Sequence, residues 1–129
     1  MILYGDSTSS FQPVMQISTG AAFFQLEYIT SADFTNDGYA DIAVSYGPNN
    51  RYKVLISDSA QGLFTQLQYI TNGPTYGIIA SDFNVDGTAD LAFVYSNSGT
   101  EGIEIITGIG TGAFPLNLGT FFPIPIFQF

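Results

Sequence analysis

The sequence predicts an all-β protein made of repeated four-stranded antiparallel sheets. Two stretches of the chain, which start 49 positions apart, are closely similar, and a second shared element follows each of them. Apolar and polar residues alternate along the runs between these elements, as they do in strands. Clusters of Gly, Pro, Asn and Ser separate the runs, and no stretch has the periodicity of a helix.

The repeat has a front half and a back half. The front half reads DFTNDGYADIAVSY from Asp33 and DFNVDGTADLAFVY from Asp82. The back half occurs three times, in the segments 2–20, 54–73 and 104–121. A phenylalanine falls at the same place in each copy, as Phe11, Phe64 and Phe114. The chain therefore contains one orphan half and two complete units of about fifty residues, the size of one propeller blade.

These units set the predicted organisation of the chain. We expect a single repeat domain over residues 1–129, with propeller-type blades of four-stranded antiparallel sheets and about two and a half blades per chain. Its parts are a half blade (1–20), two blades (21–73 and 74–121) and an apolar C-terminal tail (122–129).

Composition and charge exclude several classes of function. Eleven acidic residues face only Arg51 and Lys53, and the net charge of −9 disfavours nucleic acid and anionic membranes as partners. The longest apolar run, FFPIPIF, is too short to insert across a membrane. Without His or Cys there is no Ser–His–Asp or Cys–His chemistry and no common zinc ligand set. Hard oxygen ligands remain, and these suit calcium or magnesium.

Six of the eight aspartates lie in two nine-residue windows with the pattern D-x-[TN]-x-D-G-x-x-D. Oxygens at positions 1, 3, 5 and 9, with the backbone carbonyl of position 7, converge on one cation if the loop curls tightly, and the glycine permits that turn. We therefore predict two Ca²⁺ sites, one in each window. The first is Asp33, Thr35, Asp37, Tyr39 and Asp41, and the second is Asp82, Asn84, Asp86, Thr88 and Asp90.

The two windows differ at position 3, which has a physical consequence. An amide carbonyl at Asn84 is a better calcium ligand than the hydroxyl of Thr35, so we expect tighter binding in the second window. The alternative is that each D-G pair marks an ordinary turn in which aspartate caps the backbone.

The segment DFNVDGTADLAFVY resembles the FG-GAP/VCBS repeat, and DFTNDGYADIAVSY is similar to it. The resemblance covers nearly all of residues 1–121. It implies β-propeller blades, often seven, with calcium bound by the ten residues of the two windows. The family includes integrin α-chain heads, some lectins and many secreted bacterial proteins, so the resemblance implies an extracellular or cell-surface location. Two and a half blades are too few to close a ring, which usually needs at least four.

An open stack of blades predicts a partner for its ends. The tail from Phe121 to Phe129 is rich in large apolar residues, and Pro123 and Pro125 restrict it to pairing through one edge. We expect a homo-oligomer in which the tail docks on a neighbouring copy and helps complete its N-terminal half blade, giving a ring or a filament. The alternatives are that the tail covers its own molecule and that the chain is part of a longer propeller.

The predicted function is a calcium-stabilised extracellular structural or adhesion module that self-assembles head to tail. The alternative is a glycan-binding, lectin-like propeller with aromatic platforms from Tyr46, Tyr52, Tyr76 or Tyr95, although buried tyrosines are the commoner explanation. We expect no enzyme activity, because Glu101 and Glu104 are the only carboxylate pair that suggests catalysis and both read as solvated surface residues.

Overall fold

A computed structural model describes residues 4–5, 11–12, 28–58, 63–97, 99–115 and 119–124 of the chain. These ranges contain strands, turns and a short 3-10 helix at Gly47–Asn49, and they contain no α-helix. The strands are β1 (Tyr4–Gly5), β2 (Phe11–Gln12), β3 (Tyr28–Ala32), β4 (Asp41–Ser45), β5 (Arg51–Asp58), β6 (Leu63–Ile70), β7 (Thr75–Ser81), β8 (Asp90–Asn97), β9 (Thr100–Ile106) and β10 (Gly119–Pro123).

Two four-stranded antiparallel sheets make up the fold. The first sheet has the order β3-β4-β5-β6 and the second has the order β10-β9-β8-β7, so strands adjacent in sequence pair with each other. β1 and β2 form a separate two-stranded antiparallel sheet. The prediction of an all-β fold built from propeller-type, four-stranded sheets is therefore confirmed. The division of the chain into domains stays a prediction.

The two sheets pack against each other through a continuous apolar core, which we call the seam. Tyr52 on β5 is fully buried there, and its ring lies 4.7 Å from the ring of Phe93 on β8, centroid to centroid. Complete burial of side chains of this size contributes about 1.5–3 kcal/mol each. The buried members of the seam are Phe34, Ala43, Tyr52, Val54, Ile78, Leu91, Phe93, Ile106 and Phe114.

The first sheet is buried on both faces in its middle strands. Ala43 and Ser45 on β4 share the face of Tyr52 and Val54, while Val44 lies on the other face with Leu55 in a second apolar cluster. Alternation in this strand therefore separates two buried faces, whereas a strand with one solvated face would alternate buried with exposed.

The corresponding outer face of the second sheet is open. Its large apolar side chains are substantially exposed, with Ile79 59%, Val94 44% and Phe122 50% accessible. A groove of about 420 Å³ runs over this face, lined among others by Ile79, Val94 and Ile103. Soluble proteins seldom leave a contiguous apolar face of this kind uncovered.

The C-terminal strand belongs to the chain's own second sheet. β10 pairs antiparallel with β9 from Gly119 to Pro123, and the N–H of Ile124 donates to the carbonyl of Glu101 at 2.8 Å. Pro123 is tolerated because β10 is an edge strand. The second blade therefore extends past the predicted boundary at residue 121. The first residues of the predicted tail cover the edge of their own molecule, and residues 125–129 lie outside the described residues.

The turn between β8 and β9 is tighter than expected. The predicted turn region, 96–102, is largely strand, because Asn97 already pairs with Thr100 across the hairpin. In the part of the chain that the structure describes, no helix has the length and apolar character to cross a membrane.

Candidate metal centre in two acidic loops

Each acidic window forms the connection between the first and second strands of a sheet. Ala32 pairs with Asp41 at the base of the first loop, and Ser81 pairs with Asp90 at the base of the second. The two loops have the same backbone shape. Position 4 is left-handed in both, with φ of 59° at Asn36 and 62° at Val85, and the glycine at position 6 has φ of 88° in both.

The first aspartate of each loop organises the turn by accepting backbone hydrogen bonds. Asp33 accepts from the N–H groups of Thr35, Asp37 and Gly38 at 3.2, 3.1 and 2.8 Å. Asp82 accepts from the N–H groups of Asp86 and Gly87 at 3.1 and 2.8 Å. Burial acts to raise the pKa of Asp33, but the surrounding N–H donors together outweigh it and hold the pKa below its usual value. The group therefore stays ionised.

The middle aspartate of each loop is exposed at the tip. Asp37 accepts from the N–H of Tyr39 at 2.9 Å, and Asp86 accepts from the N–H of Thr88 at 2.8 Å. The N–H of Thr88, followed by the side chain of Asn84, lowers the pKa of Asp86. Both tips therefore present an ionised, solvent-accessible carboxylate.

The last aspartate of each loop is turned inward. Asp41 is fully buried, and its two oxygens accept from the N–H groups of Phe34 and Ser57 at 2.9 and 2.8 Å. Asp90 is equally buried, and its oxygens accept from the N–H groups of Phe83 and Gly108 at 3.0 and 2.9 Å. These carboxylates fasten each loop to the turn that follows the third strand.

The structure thus brings together positions 1, 3 and 5 of each loop and directs position 9 elsewhere. Within the described ranges, no three His, Cys, Asp or Glu side chains gather closely enough to hold a metal ion as they stand. The donor set still fits calcium, since it consists of hard oxygens and two ionised carboxylates. The residues that would hold calcium are Asp33, Thr35, Asp37 and the carbonyl of Tyr39, and Asp82, Asn84, Asp86 and the carbonyl of Thr88. Asp41 and Asp90 would contribute only the acceptor capacity that their backbone hydrogen bonds leave.

A comparison with protein-family models gives one match, to the model described as an FG-GAP-like repeat, over residues 33–93. Residues 33–93 are an FG-GAP-like repeat. The match begins at the first acidic loop, continues through the first sheet and ends within β8, beyond the second acidic loop. The resemblance noted in the sequence is therefore confirmed for this stretch. No curated protein and no solved structure matches the chain significantly.

Position 3 of the second loop is already engaged within the FG-GAP-like repeat. The side-chain carbonyl of Asn84 accepts from the N–H of Asp86 at 2.9 Å, and its amide donates to the carboxylate of Asp86 at 2.8 Å. In the first loop the hydroxyl of Thr35 makes a longer contact of 3.4 Å with Asp33. The second loop is therefore the better ordered of the two, and its tighter calcium binding stays a prediction.

The sequence gave no indication that residues 107–115, which we call the return segment, lock onto the first acidic loop. The N–H of Gly112 donates to the carbonyl of Phe34 at 2.8 Å, and the ring of Phe114 packs edge-on against Phe34 at 5.3 Å. A Cβ at Gly112 would lie 2.3 Å from Ile56, and one at Gly108 would lie 2.2 Å from the carbonyl of Ala89. Close backbone approach thus explains both glycines.

The residues considered for glycan binding and catalysis separate clearly. Tyr46, Tyr52 and Tyr95 are buried, in agreement with their interpretation as core residues, whereas Tyr76 is 56% exposed. The prediction that Glu104 is a solvated surface residue is wrong, because it lies within β9 and is only 5% exposed. Its side chain shares the inward face of β9 with Gly102 and Ile106, which is the alternation that the sequence interpretation overlooked.

We expect Val85→Asn to stabilise the second loop. A β-branched residue with φ of 62° is strained, whereas asparagine tolerates this conformation and occupies the same position in the first loop. Because Val85 is 88% exposed, its replacement sacrifices little packing. The unfolding free energy, from urea denaturation, should rise by about 1 kcal/mol. The matched exchange, Asn36→Val, should lower it, and equal effects of the two exchanges would contradict the strain.

The loop carboxylates should titrate in a fixed order in the calcium-free protein. Burial raises the pKa of Asp41 above its ordinary value of 3.8, while the pKa values of Asp33 and Asp86 lie below it. The stabilising effect of Asp33 is then complete above its unfolded pKa and is lost as pH falls through its folded pKa. For Asp41 the sign is opposite, because stability declines as pH rises through its folded pKa. A carbon-13 NMR titration that placed Asp41 below Asp33 would contradict this order.

Proposed function

We propose that this chain is a calcium-stabilised structural or adhesion module that acts outside the cell and assembles head to tail. The observation that carries the proposal is the pair of acidic loops, which have the same backbone and the same position in each sheet. FG-GAP-like repeats typically serve as structural or binding modules and are commonly extracellular.

Calcium would act on the loops by neutralising their carboxylates. The chain carries a net charge of −9, and each loop places two ionised aspartates close together at an exposed turn. Like charges at this spacing repel each other, and a divalent ion converts that repulsion into attraction. Because Phe34 follows Asp33 and packs on the return segment, ordering of the first loop would also support the seam between the sheets.

Assembly is supported by the open outer face of the second sheet. Ile79, Val94 and Phe122 form an exposed apolar surface there, and the chain's own first sheet covers the opposite face through the seam. A neighbouring copy stacked on this surface would bury it in the same manner. The proposed contributors from the neighbour are its N-terminal half blade and the tail, of which residues 125–129 lie beyond the described structure.

Mass measurement by light scattering, with calcium and with a chelator, tests the assembly. We expect an oligomer in calcium, a smaller species in the chelator, and a monomer for Val94→Glu under both conditions. Ile109→Glu is the matched control, because Ile109 is comparably exposed at 49% but lies on the return segment. A wild-type chain that stays monomeric at high concentration in calcium would refute the proposal.

The tail's role can be separated from that of the sheet. A truncation after Ile124 removes only residues 125–129 and leaves β10 paired with β9. If the tail docks on a neighbour, this truncation should weaken the oligomer without altering the thermal unfolding of the monomeric Val94→Glu form. An unchanged oligomer would show that the exposed sheet face suffices.

One observation favours glycan binding as a second candidate. Tyr76 lies at a β-bulge in β7, where the register shifts between Thr75 and Gly77, and its exposed ring borders a pocket of about 350 Å³. Ser96 and Glu101 add polar groups to the same pocket. An aromatic platform with a polar rim suits a saccharide. A glycan array should show hits that Tyr76→Ala abolishes, and an array without hits would dismiss this candidate.

A further inference from the structure

A buried carboxylate in the seam has no function in the proposed calcium chemistry. Glu104 lies on β9, and one of its oxygens accepts a hydrogen bond from the side-chain amide of Asn72. Its other oxygen, Oε2, is buried and has no hydrogen-bond partner among the described residues. A buried, half-satisfied carboxylate is costly, so its retention requires a physical explanation.

Three hydroxyl groups with the same deficiency lie at this end of the seam. The oxygens of Ser45, Tyr52 and Thr75 are buried and also lack a partner within the described part of the chain. Cross-strand pairing places them near one another, because Ser45 is directly opposite Tyr52 and Thr75 is directly opposite Tyr95.

The same geometry places these hydroxyls around Glu104. The ring of Tyr52 lies 4.7 Å from the ring of Phe93, and Phe93 is the direct cross-strand partner of Glu104. Burial raises the pKa of Tyr52 and of Tyr95, and the charge of Glu104 raises both further. Four oxygen atoms, one of them on a carboxylate, therefore face the same polar space between the sheets.

The described structure offers Glu104 no cationic side chain. Arg51 and Lys53 project from β5 on the opposite face from Tyr52 and Val54, as strand alternation requires. Burial raises the pKa of Glu104, and the hydrogen bonds from Asn72 offset this in part. The charge must therefore be neutralised either by a proton or by a small cation.

A proton would satisfy only one of the four oxygens, whereas a cation would coordinate all of them. We propose that Glu104, with the hydroxyls of Ser45, Tyr52 and Thr75, forms a site for a monovalent cation, Na⁺ or K⁺, in the seam. A single carboxylate balances a single positive charge, whereas calcium sites generally combine several carboxylates. The cation would join one sheet to the other, because Ser45 and Tyr52 belong to the first and Thr75 and Glu104 to the second.

Urea denaturation of the full chain in NaCl, KCl and choline chloride tests this site, at one pH, ionic strength and calcium concentration. We expect stability to be higher in one or both alkali salts than in choline. Once the site is mostly filled, the unfolding equilibrium constant should fall about tenfold for each tenfold rise in the bound ion. Line broadening of the sodium-23 NMR signal, or a thallium anomalous peak beside Glu104, would locate the ion directly.

Two glutamate-to-glutamine variants on the same strand separate the site from general salt effects. Glu104→Gln keeps an acceptor for Asn72 but removes the charge, so it should lose the difference between alkali salts and choline. Glu101→Gln removes an exposed charge three residues away and should retain that difference. The proposal is overturned if wild-type stability is equal in the three salts, or if Glu104→Gln retains the preference. A pH-dependent loss of stability without any salt preference would also overturn it and would identify a proton in place of the cation.

Discussion

Replacing Asp90 by alanine is expected to destabilise the protein by about 3–5 kcal/mol, even in the absence of calcium. The carboxylate is fully buried and accepts hydrogen bonds from the N–H groups of Phe83 and Gly108. Hydrogen bonds to a charged group contribute about 1.5–3 kcal/mol each, and the mutation leaves buried donors unsatisfied. The unfolding free energy from urea denaturation, measured in a chelator, gives the cost.

Asp86→Ala is the matched control for this variant. Asp86 lies in the same loop and the same repeat but is exposed, and its donor partners are accessible to water. Its replacement should change stability little in the chelator. Asp41→Ala should reproduce the effect of Asp90→Ala, because Asp41 makes the equivalent bonds to Phe34 and Ser57. Equal stabilities of Asp90→Ala and Asp86→Ala would show that the inward carboxylates do not support the fold.

Phe114→Ala should cost about 3–5 kcal/mol, the range for a fully buried phenylalanine whose removal leaves a cavity. The ring is 1% exposed and contacts two rings of the first sheet region, Phe34 at 5.3 Å and Tyr69 at 6.3 Å. Its loss removes the anchor of the return segment as well as core volume. Thermal or urea unfolding measures the stability.

Phe122→Ala controls for the chemistry of the exchange, because Phe122 is 50% exposed on β10 and should lose far less stability. Hydrogen exchange adds a local readout. The N–H of Gly112, which bonds to the carbonyl of Phe34, should exchange faster in Phe114→Ala than in Phe122→Ala. Unchanged protection of Gly112 would show that the return segment is held by other contacts.

Local features of the sequence predicted the sheets and the position of the acidic loops well. Strand alternation, turn residues and the D-G pairs act over a few residues, and the duplication of the front half reinforced each signal. The pairing of Ala32 with Asp41 and of Ser81 with Asp90 follows from this local pattern. These elements required no knowledge of long-range contacts.

Features that depend on distant partners could not be predicted in this way. The inward orientation of Asp41 and Asp90 depends on the N–H groups of Ser57 and Gly108, which lie 16 and 18 residues further along the chain. The burial of Glu104 depends on packing between the sheets, and a lone glutamate beside a Gly-rich stretch resembles a surface residue. Which face of a strand is buried was undecided locally wherever both faces carry apolar residues.

Calorimetric titration of the calcium-free chain with calcium tests the central claim most directly. The account predicts two binding events per chain, with Asp86→Asn losing the second-loop event and Asp37→Asn the first. Both substitutions are at exposed loop tips, so the variants should remain folded. A wild-type chain that takes up no calcium at millimolar concentration, while its thermal unfolding is the same with and without the ion, would contradict the claim.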